Sequence, residues 1–359
     1  MKYGLLITSP ISKYKNIGDY VQSLAAKQYF DGEYCYVEKE AVSEFNSDEP
    51  VKVIMNAWYM WHPECWPPKP CIQPLLISMH ISNLTAKEML ANGGKEYLIN
   101  HGPVGCRDLD TKKILDEAGV PSFFSACLTL TLGETYKYNG ERKGVIFVDP
   151  FIPPLMYIVN QKKKKYYPLN LLSAIVFYLY NSSIINTLIR RHKYFHSRHK
   201  LVTLYNASMF YKIYSSRFSD DVIVNAEFIH HIVPVDDDDN NDTLLAKAEK
   251  LVMKYARASY VVTSRVHCAL PCLGLETPLM FVLSSDMNSK DNMYNAPGRF
   301  GGLVDLFRVL SLHGNTLVTD DEELNNYKKF ENGLSFHNKS NWKSYRDSLV
   351  KECKEFIKM

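Results

Sequence analysis

The stretch TLLAKAEKLVMKYARASYVVTSRVHCALPCLGLETPLMFVL, residues 243–283, decides the fold class. TLLAKAEKLVMKYARA repeats its apolar residues every three or four positions, as one face of a helix does. YVVT is a short apolar run with the composition of a buried strand. A second helical segment runs from Arg265, and PLMFVL is a strand again. Helix, strand, helix and strand in so short a span predict a mostly parallel sheet with helices on both faces.

Ligands of such sheets bind beyond the carboxyl ends of the strands. TSRVHCALPC (263–272) stands at one such end and opens a helix. The first N–H groups of that helix lack intrahelical partners, and its dipole is positive there, so an anion is attracted before any side chain acts. Arg265 adds a rigid two-pronged donor for carboxylate or phosphate, with Ser264 beside it. His267 adds a group that exchanges a proton near neutral pH. The competing reading is an Arg paired with an acidic neighbour and a His packed in the core.

The same alternation extends in both directions. YGLLIT, EYCYVE, VKVIMNAW and PLLISMHI read as strands, DYVQSLAAKQYF and LDTKKILDEAG as helices, and SFFSACLTLTL as a strand-like run. After the polar segment GETYKYNGERK (133–143), GVIFVD begins a second set. There LVTLY is expected as a strand, 206–215 as a helix and VIVNAEFI as a strand, with Asp242 capping the helix after DDDDNND. The expected organisation is an N-terminal Rossmann-like domain over 1–135, a C-terminal one over 144–320, and a helical tail over 321–359 containing the amphipathic NWKSYRDSLVKECKEFI.

The net charge of +3 hides an asymmetry: Pro150 to Ser219 holds eleven Lys or Arg and no Asp or Glu. That block gives a local positive field, but its aromatics follow no RNA-binding pattern, so no nucleic-acid partner is expected. Within it, LNLLSAIVFYLYNSSIINTLI lies between KKKK and RRHK, and its Asn and Ser pairs interrupt it too often for a clean membrane span. The reading for 160–200 is a basic insertion whose helix lies at a membrane surface, against a helix simply buried in the insertion. MKYGLLITSP reads as a first strand rather than a secretion signal, and the eight Cys as free thiols of a reducing compartment. Cys268 and Cys272 stand i,i+4 beside His267, but no second Cys/His pair is near in sequence to complete four ligands, and no metal is assigned.

Four further segments carry candidates. In SPISKYKNIGDYVQSLAA a helix opens at NIGD, where Gly18 allows close approach and Asp19 sits at the N-cap or first turn, as a helix cap or as a base facing a cleft; Asn16 belongs to the same turn. In INHGPVGCRDLDTKKIL, Arg107 and Asp108 pair or cap the helix, with Arg107 also a candidate for substrate. In APGRFGGLVDL, Arg299 can reach an anion. NAWYMWHPECWPPKP holds Trp58, Trp61 and Trp66, which can stack on sugar rings or plug a domain interface.

Together these segments resemble the polysaccharide pyruvyl transferase family. The matching pieces are NIGDYVQSLAA, NAWYMWHPECWPP, GPVGCRDLDTKKILDEAGVPSFFSACLTLTL, TSRVHCALPCLGLETPLMFV and GRFGGLVDLF, in family order over almost the whole chain, the basic insertion being least similar. The resemblance implies two Rossmann-like domains facing a cleft, as in GT-B glycosyltransferases. It implies transfer of pyruvate from phosphoenolpyruvate to a sugar as a ketal, in the synthesis of bacterial surface polysaccharides such as capsule and exopolysaccharide. It implies that Arg265 and His267, the pair of the S-R-x-H motif, contact the donor. Many relatives carry an Arg after the first strand of the second domain; here VDPFIPP has none, leaving Arg217, Arg299 or the basic block to supply that charge.

In the expected chemistry His267 is the acid for the vinyl carbon and Asp19 the base for the sugar hydroxyl, with Asn16, Gly18, Ser264, Arg265, Arg107 and Arg299 around the substrates. The donor is a substrate, and the scheme requires neither metal nor cofactor. The acceptor is expected to be a lipid-linked repeat unit, and the location cytoplasmic, peripheral to the inner membrane face. A nucleotide-sugar glycosyltransferase of the same fold and a non-catalytic assembly subunit remain the alternatives at this level.

Overall fold

The computed structural model describes residues 2–8, 13–59, 61–160, 163–166, 168–284 and 300–359. It is a mixed α/β structure. β1 (Lys2–Ile7), β2 (Tyr34–Glu38), β3 (Val51–Ile54) and β4 (Ile72–Leu75) form a parallel sheet in the order β2-β1-β3-β4. β5 (Val145–Val148), β6 (Glu227–Ile229), β7 (Tyr260–Thr263), β8 (Leu279–Ser284), β9 (Arg308–His313) and β10 (Thr316–Val318) form another, ordered β6-β5-β7-β8-β9-β10. All its pairs are parallel except β9 with β10, which turns back. The runs VKVI, VIFV and YVVT are buried at every position, as strands covered on both faces must be.

The principal helices are α1 (Ile17–Lys27), α2 (Leu109–Glu117), α3 (Pro168–Arg191), α4 (Lys200–Tyr214), α5 (Asn241–Arg257), α6 (Val266–Gly274) and α7 (Lys343–Lys358). One core runs through both sheets: Leu5, Leu24 and Ile54 from the N-terminal side share it with Leu251, Leu270, Phe281 and Trp342. Two backbone features tie the halves together. Tyr14–Asn16 pairs antiparallel with Ile232–Pro234, and the Ile17 N–H donates to the His231 carbonyl at 2.8 Å. Gly274 at the end of α6 lies so close to the 128–131 segment that a Cβ there would come within 2.4 Å of the Leu130 carbonyl oxygen. α7 returns to the first sheet, where the Lys52 ammonium donates to the Phe356 and Ile357 carbonyls at 2.9 and 3.2 Å, satisfying orphan acceptors of its last turn.

Several sequence expectations are corrected. LVTLY is the first part of α4 rather than a strand: Tyr205, Met209, Phe210 and Ile213 are buried at helical spacing, and that packing overrides strand propensity. VIVNAEFI divides into a helix at Asp220–Asn225, capped by the Ser219 hydroxyl, and β6. Of SFFSACLTLTL only Ser122–Phe124 is a strand, and Leu128–Thr131 is a buried 3-10 turn. Asn240, not Asp242, caps α5, in a reciprocal box with Thr243; Asp242 instead accepts from the Tyr36 hydroxyl.

Candidate active site

Asn16 caps α1, its Oδ1 accepting from the Gly18 N–H at 3.1 Å, so Asp19 falls in the first turn rather than at the cap. A Cβ on Gly18 would stand 2.9 Å from His267 Cβ and 3.2 Å from its Nδ1. The absence of a side chain at 18 is what lets the N-termini of α1 and α6 meet, and the meeting sets Asp19 Oδ1 3.9 Å from His267 Nδ1.

On the other side of the ring, Arg107 Nη1 lies 3.3 Å from His267 Nε2. A guanidinium only donates, so Nε2 is the acceptor nitrogen and the ring proton sits on Nδ1, toward Asp19. Arg107 is itself almost fully buried, with Nε 3.5 Å from Asp108 Oδ2. Asp108 caps α2 through Oδ1, which accepts from the Thr111 N–H and hydroxyl, both at 2.9 Å. Its Oδ2 is 2.5 Å from His80 Nδ1. Burial raises this carboxyl's proton affinity, but His80, Arg107 and the Thr111 N–H together hold it below the usual carboxylate range. Arg107 and Asp108 therefore pair and cap, as their spacing suggested, and Arg107 is also aimed at His267.

Arg265 stands at the N-terminus of α6 and lines an open cavity of about 330 Å³ with Asp149, Tyr194, His230, Ser264 and Phe300 among its walls. Its Nε donates to Asp149 Oδ2 at 2.9 Å, and the side chain is 47 % exposed. Ser264 Oγ donates to the Asp149 carbonyl at 2.7 Å, which locks the loop after β7 to the loop after β5. Asp149 also accepts from His230 Nδ1 at 3.0 Å and from the His231 N–H at 3.2 Å. Burial pushes its carboxyl up, but the His230 bond, Arg265 and His231 hold it down to about 2. The backbone of Asp149 is left-handed, φ +38°, a strained conformation for a residue with a side chain.

Asp19 opens instead onto a narrow recess shared with Lys39 and Asn56 at the ends of the first sheet's strands. His267 is mostly buried, with Asp19 of the recess on one side of its ring and Arg107 on the other. Lys15, two residues before α1, is 5 % exposed and its ammonium has no hydrogen-bond partner among the described residues. Burial pushes it down to about 8, against the pull of Glu38 and Asp19 and with a push from Lys39.

Gly18, Asp19 and Arg107 are thus brought to the His267 ring and Asn16 caps the helix that carries Asp19, whereas Ser264 and Arg265 gather about Asp149. Arg299 lies outside the described residues. Arg217 is engaged elsewhere, donating to the Leu324 carbonyl at 2.9 Å and lying over the Phe330 ring. Asp149, His230, His80 and Lys15 were not singled out in the sequence. Asp149 had a usable signal, an acid directly after the apolar run GVIFV, and His230 stands directly after the β6 run EFI. Among the described residues no cluster of three or more His, Cys, Asp or Glu is arranged to hold a metal.

A parallel α/β protein with a cation, a proton-exchanging ring and ordered carboxylates near its strand ends holds the groups that group-transfer chemistry uses. The family model for polysaccharide pyruvyl transferase matches residues 87–286, more than half of the 359, and the chain belongs to that family. It is a transferase enzyme of polysaccharide synthesis. The matched span holds Arg107, Asp149, Ser264, Arg265 and His267, while Asn16, Gly18 and Asp19 precede it. No curated protein matches the chain.

Proposed function

We propose that the enzyme transfers pyruvate from phosphoenolpyruvate to two hydroxyls of one sugar in a lipid-linked polysaccharide repeat unit, forming a ketal and releasing phosphate. The observation that carries this reading is Arg265: a half-exposed guanidinium at a helix N-terminus, held by Asp149 through Nε alone, on a cavity of about 330 Å³. Its two Nη groups, with no hydrogen bond among the described residues, suit the carboxylate or phosphate of the donor. Two largely parallel sheets, with a cavity beside the strand ends of the second and a recess beside those of the first, support a GT-B-like arrangement, with the donor on the second sheet's side and the acceptor on the first.

In the first step Asp19 takes the proton of one sugar hydroxyl, whose oxygen bonds to C2, while His267 protonates the vinyl carbon C3. In the second step another hydroxyl of the same sugar bonds to C2 and the C2–O bond to phosphate breaks; the hydroxyl proton leaves with phosphate. His267 must enter as imidazolium. Arg107 opposes that form and the donor's negative charges favour it, so donor binding and charging of the ring are coupled. On the acceptor side Trp61, 47 % exposed and packed edge-on to Trp58 at 5.4 Å, offers a stacking face for a sugar ring. Trp58 in turn lies 5.9 Å from the ring of His80, which orders Asp108.

Thermal melts with phosphoenolpyruvate, UDP and CMP test the reading. A ligand at about 100 times its Kd stabilises the fold by roughly 2.7 kcal/mol, which a melt resolves. The expected result is a shift with phosphoenolpyruvate that disappears in Arg265→Ala. A shift with UDP or CMP and none with phosphoenolpyruvate would make this a nucleotide-sugar glycosyltransferase and overturn the proposal.

A further inference from the structure

α3 is long and apolar enough to cross a membrane, yet less than a fifth of its most apolar stretch is buried in the fold. Leu169, Leu172, Val176, Leu179 and Tyr180 are all exposed, Leu169 by 78 % and Tyr180 by 85 %. At 100° per residue they fall within about 100° of arc, a single stripe along three turns. The opposite face packs inward, with Ala174 buried and Leu171, Phe177 and Tyr178 against the core. A soluble surface does not ordinarily leave such a continuous apolar stripe uncovered.

The helix does not have the geometry to span a bilayer. Asn181, at φ −126° and ψ 23°, breaks it after Tyr180. The first segment of thirteen residues is about 20 Å long, against a hydrocarbon core of about 30 Å. Beyond the break Ile185 and Leu188 are fully buried, so the second segment is anchored in the protein. The stripe can only lie flat against whatever covers it.

Charge identifies the cover. In sequence Lys163, Lys164 and Lys165 precede the helix; Arg190 and Arg191 end it, and Lys193, Arg198 and Lys200 follow it, all five of these last exposed. No acid occurs between Pro150 and Ser219. Two copies meeting stripe to stripe would bring like charges together, and the stripe is shorter than the three or four heptads a coiled coil uses. An apolar stripe framed by cations fits anionic lipid headgroups with an apolar layer beneath.

We propose that the first half of α3 is a membrane-surface anchor: it lies in the plane of an anionic bilayer with Leu169, Leu172, Val176 and Leu179 inserted between headgroups. This surface is separate from the catalytic residues, and it would deliver the active site to lipid-linked acceptors. The test is sedimentation of the full-length protein with sucrose-loaded vesicles, of phosphatidylcholine alone or with about three parts in ten phosphatidylglycerol. Binding is expected to the anionic vesicles, to weaken between about 0.1 and 0.5 M salt, and to fall at least about tenfold in the double variant Leu172→Glu, Leu179→Glu. Both substituted residues are exposed, and a melt equal to wild type shows the variant folded. Absence of binding by the wild type, or equal binding by the folded variant, overturns the anchor. So does light scattering that finds the wild type dimeric and the variant monomeric, since the stripe is then covered by a second copy. Donor binding in the thermal melt is unaffected by any of these outcomes, so this proposal and the pyruvyl-transfer reading fail separately.

Discussion

Asp149 joins Arg265, His230 and the His231 backbone on one carboxylate, and its ionisation links stability to pH. Its folded-state pKa, held at about 2, lies below the ordinary value of about 4, so the unfolded chain binds the proton more readily. The stabilisation is complete above about pH 4 and is lost as pH falls toward 2, with an order of magnitude of roughly 2 kcal/mol. Asp149→Asn is therefore expected to lower stability in urea unfolding at pH 6, and the gap from wild type to narrow as pH drops from about 4 to 2. A gap that stays constant over that range would mean that the carboxylate's charge does not matter. Arg265 and His267 were legible in the sequence because a strand end and a helix start were both visible there. Asp149 was less so, because its role depends on partners 81 to 116 positions away, at His230, His231 and Arg265. Lys15 is a similar case: in sequence it is one Lys of SKYKN, and only folding shows its ammonium buried near Asp19.

At the level of elements, α1 and α6 meet end to end, and Gly18 sets how closely. In Gly18→Ala the new methyl meets His267 Cβ at 2.9 Å and Asn16 Oδ1 at 3.1 Å. Neither is the end of a flexible chain, since His267 is fixed in a buried helix and Asn16 is the cap of α1. The helices must separate, which for an overpacked contact costs about 1–3 kcal/mol. Turnover is expected to fall more than stability does, by about a hundredfold or more, because a displacement of about 1 Å in a catalytic pair is enough for that. The check is kcat beside the melting temperature, and a variant with a lowered melt but normal kcat would remove the α1–α6 meeting from catalysis. Regular amphipathic helices such as α5 and α7 were readable, as were fully apolar strands such as YVVT. α4 was misread because its first turn, LVTLY, is rich in residues that also favour strands, and only the burial of Tyr205 with Met209 selects the helix.

For the molecule as a whole, strand–helix alternation announced a parallel α/β protein, but no local pattern could announce that its two sheets share a core. Leu5 and Leu24 pack in one cluster with Leu251, Leu270 and Trp342, from the far end of the chain. The tail helix closes that cluster: Trp342, Leu349, Cys353 and Phe356 are buried, and its last carbonyls take the Lys52 ammonium. A chain ending at Ser340 would expose these surfaces and leave a buried lysine without its acceptors. At about 1.5–3 kcal/mol for each large apolar side chain, the loss is comparable with the whole stability of an ordinary domain. The truncated protein is expected to be insoluble or to lack a cooperative transition, and the full chain is expected to unfold in urea in one step by tryptophan fluorescence and by circular dichroism alike. Leu349→Ala grades the same effect, with an expected loss of about 2–4 kcal/mol spread over the single transition. If Leu349→Ala instead lowers only one of two resolved transitions, the sheets fold as separate units and α7 belongs to one of them. The distinction bears on catalysis, because Asp19 is carried by α1, which follows the first strand of the first sheet, and His267 by the helix that follows β7 of the second, and the common core, with the Tyr14–Asn16 pairing to Ile232–Pro234, keeps the pair at 3.9 Å.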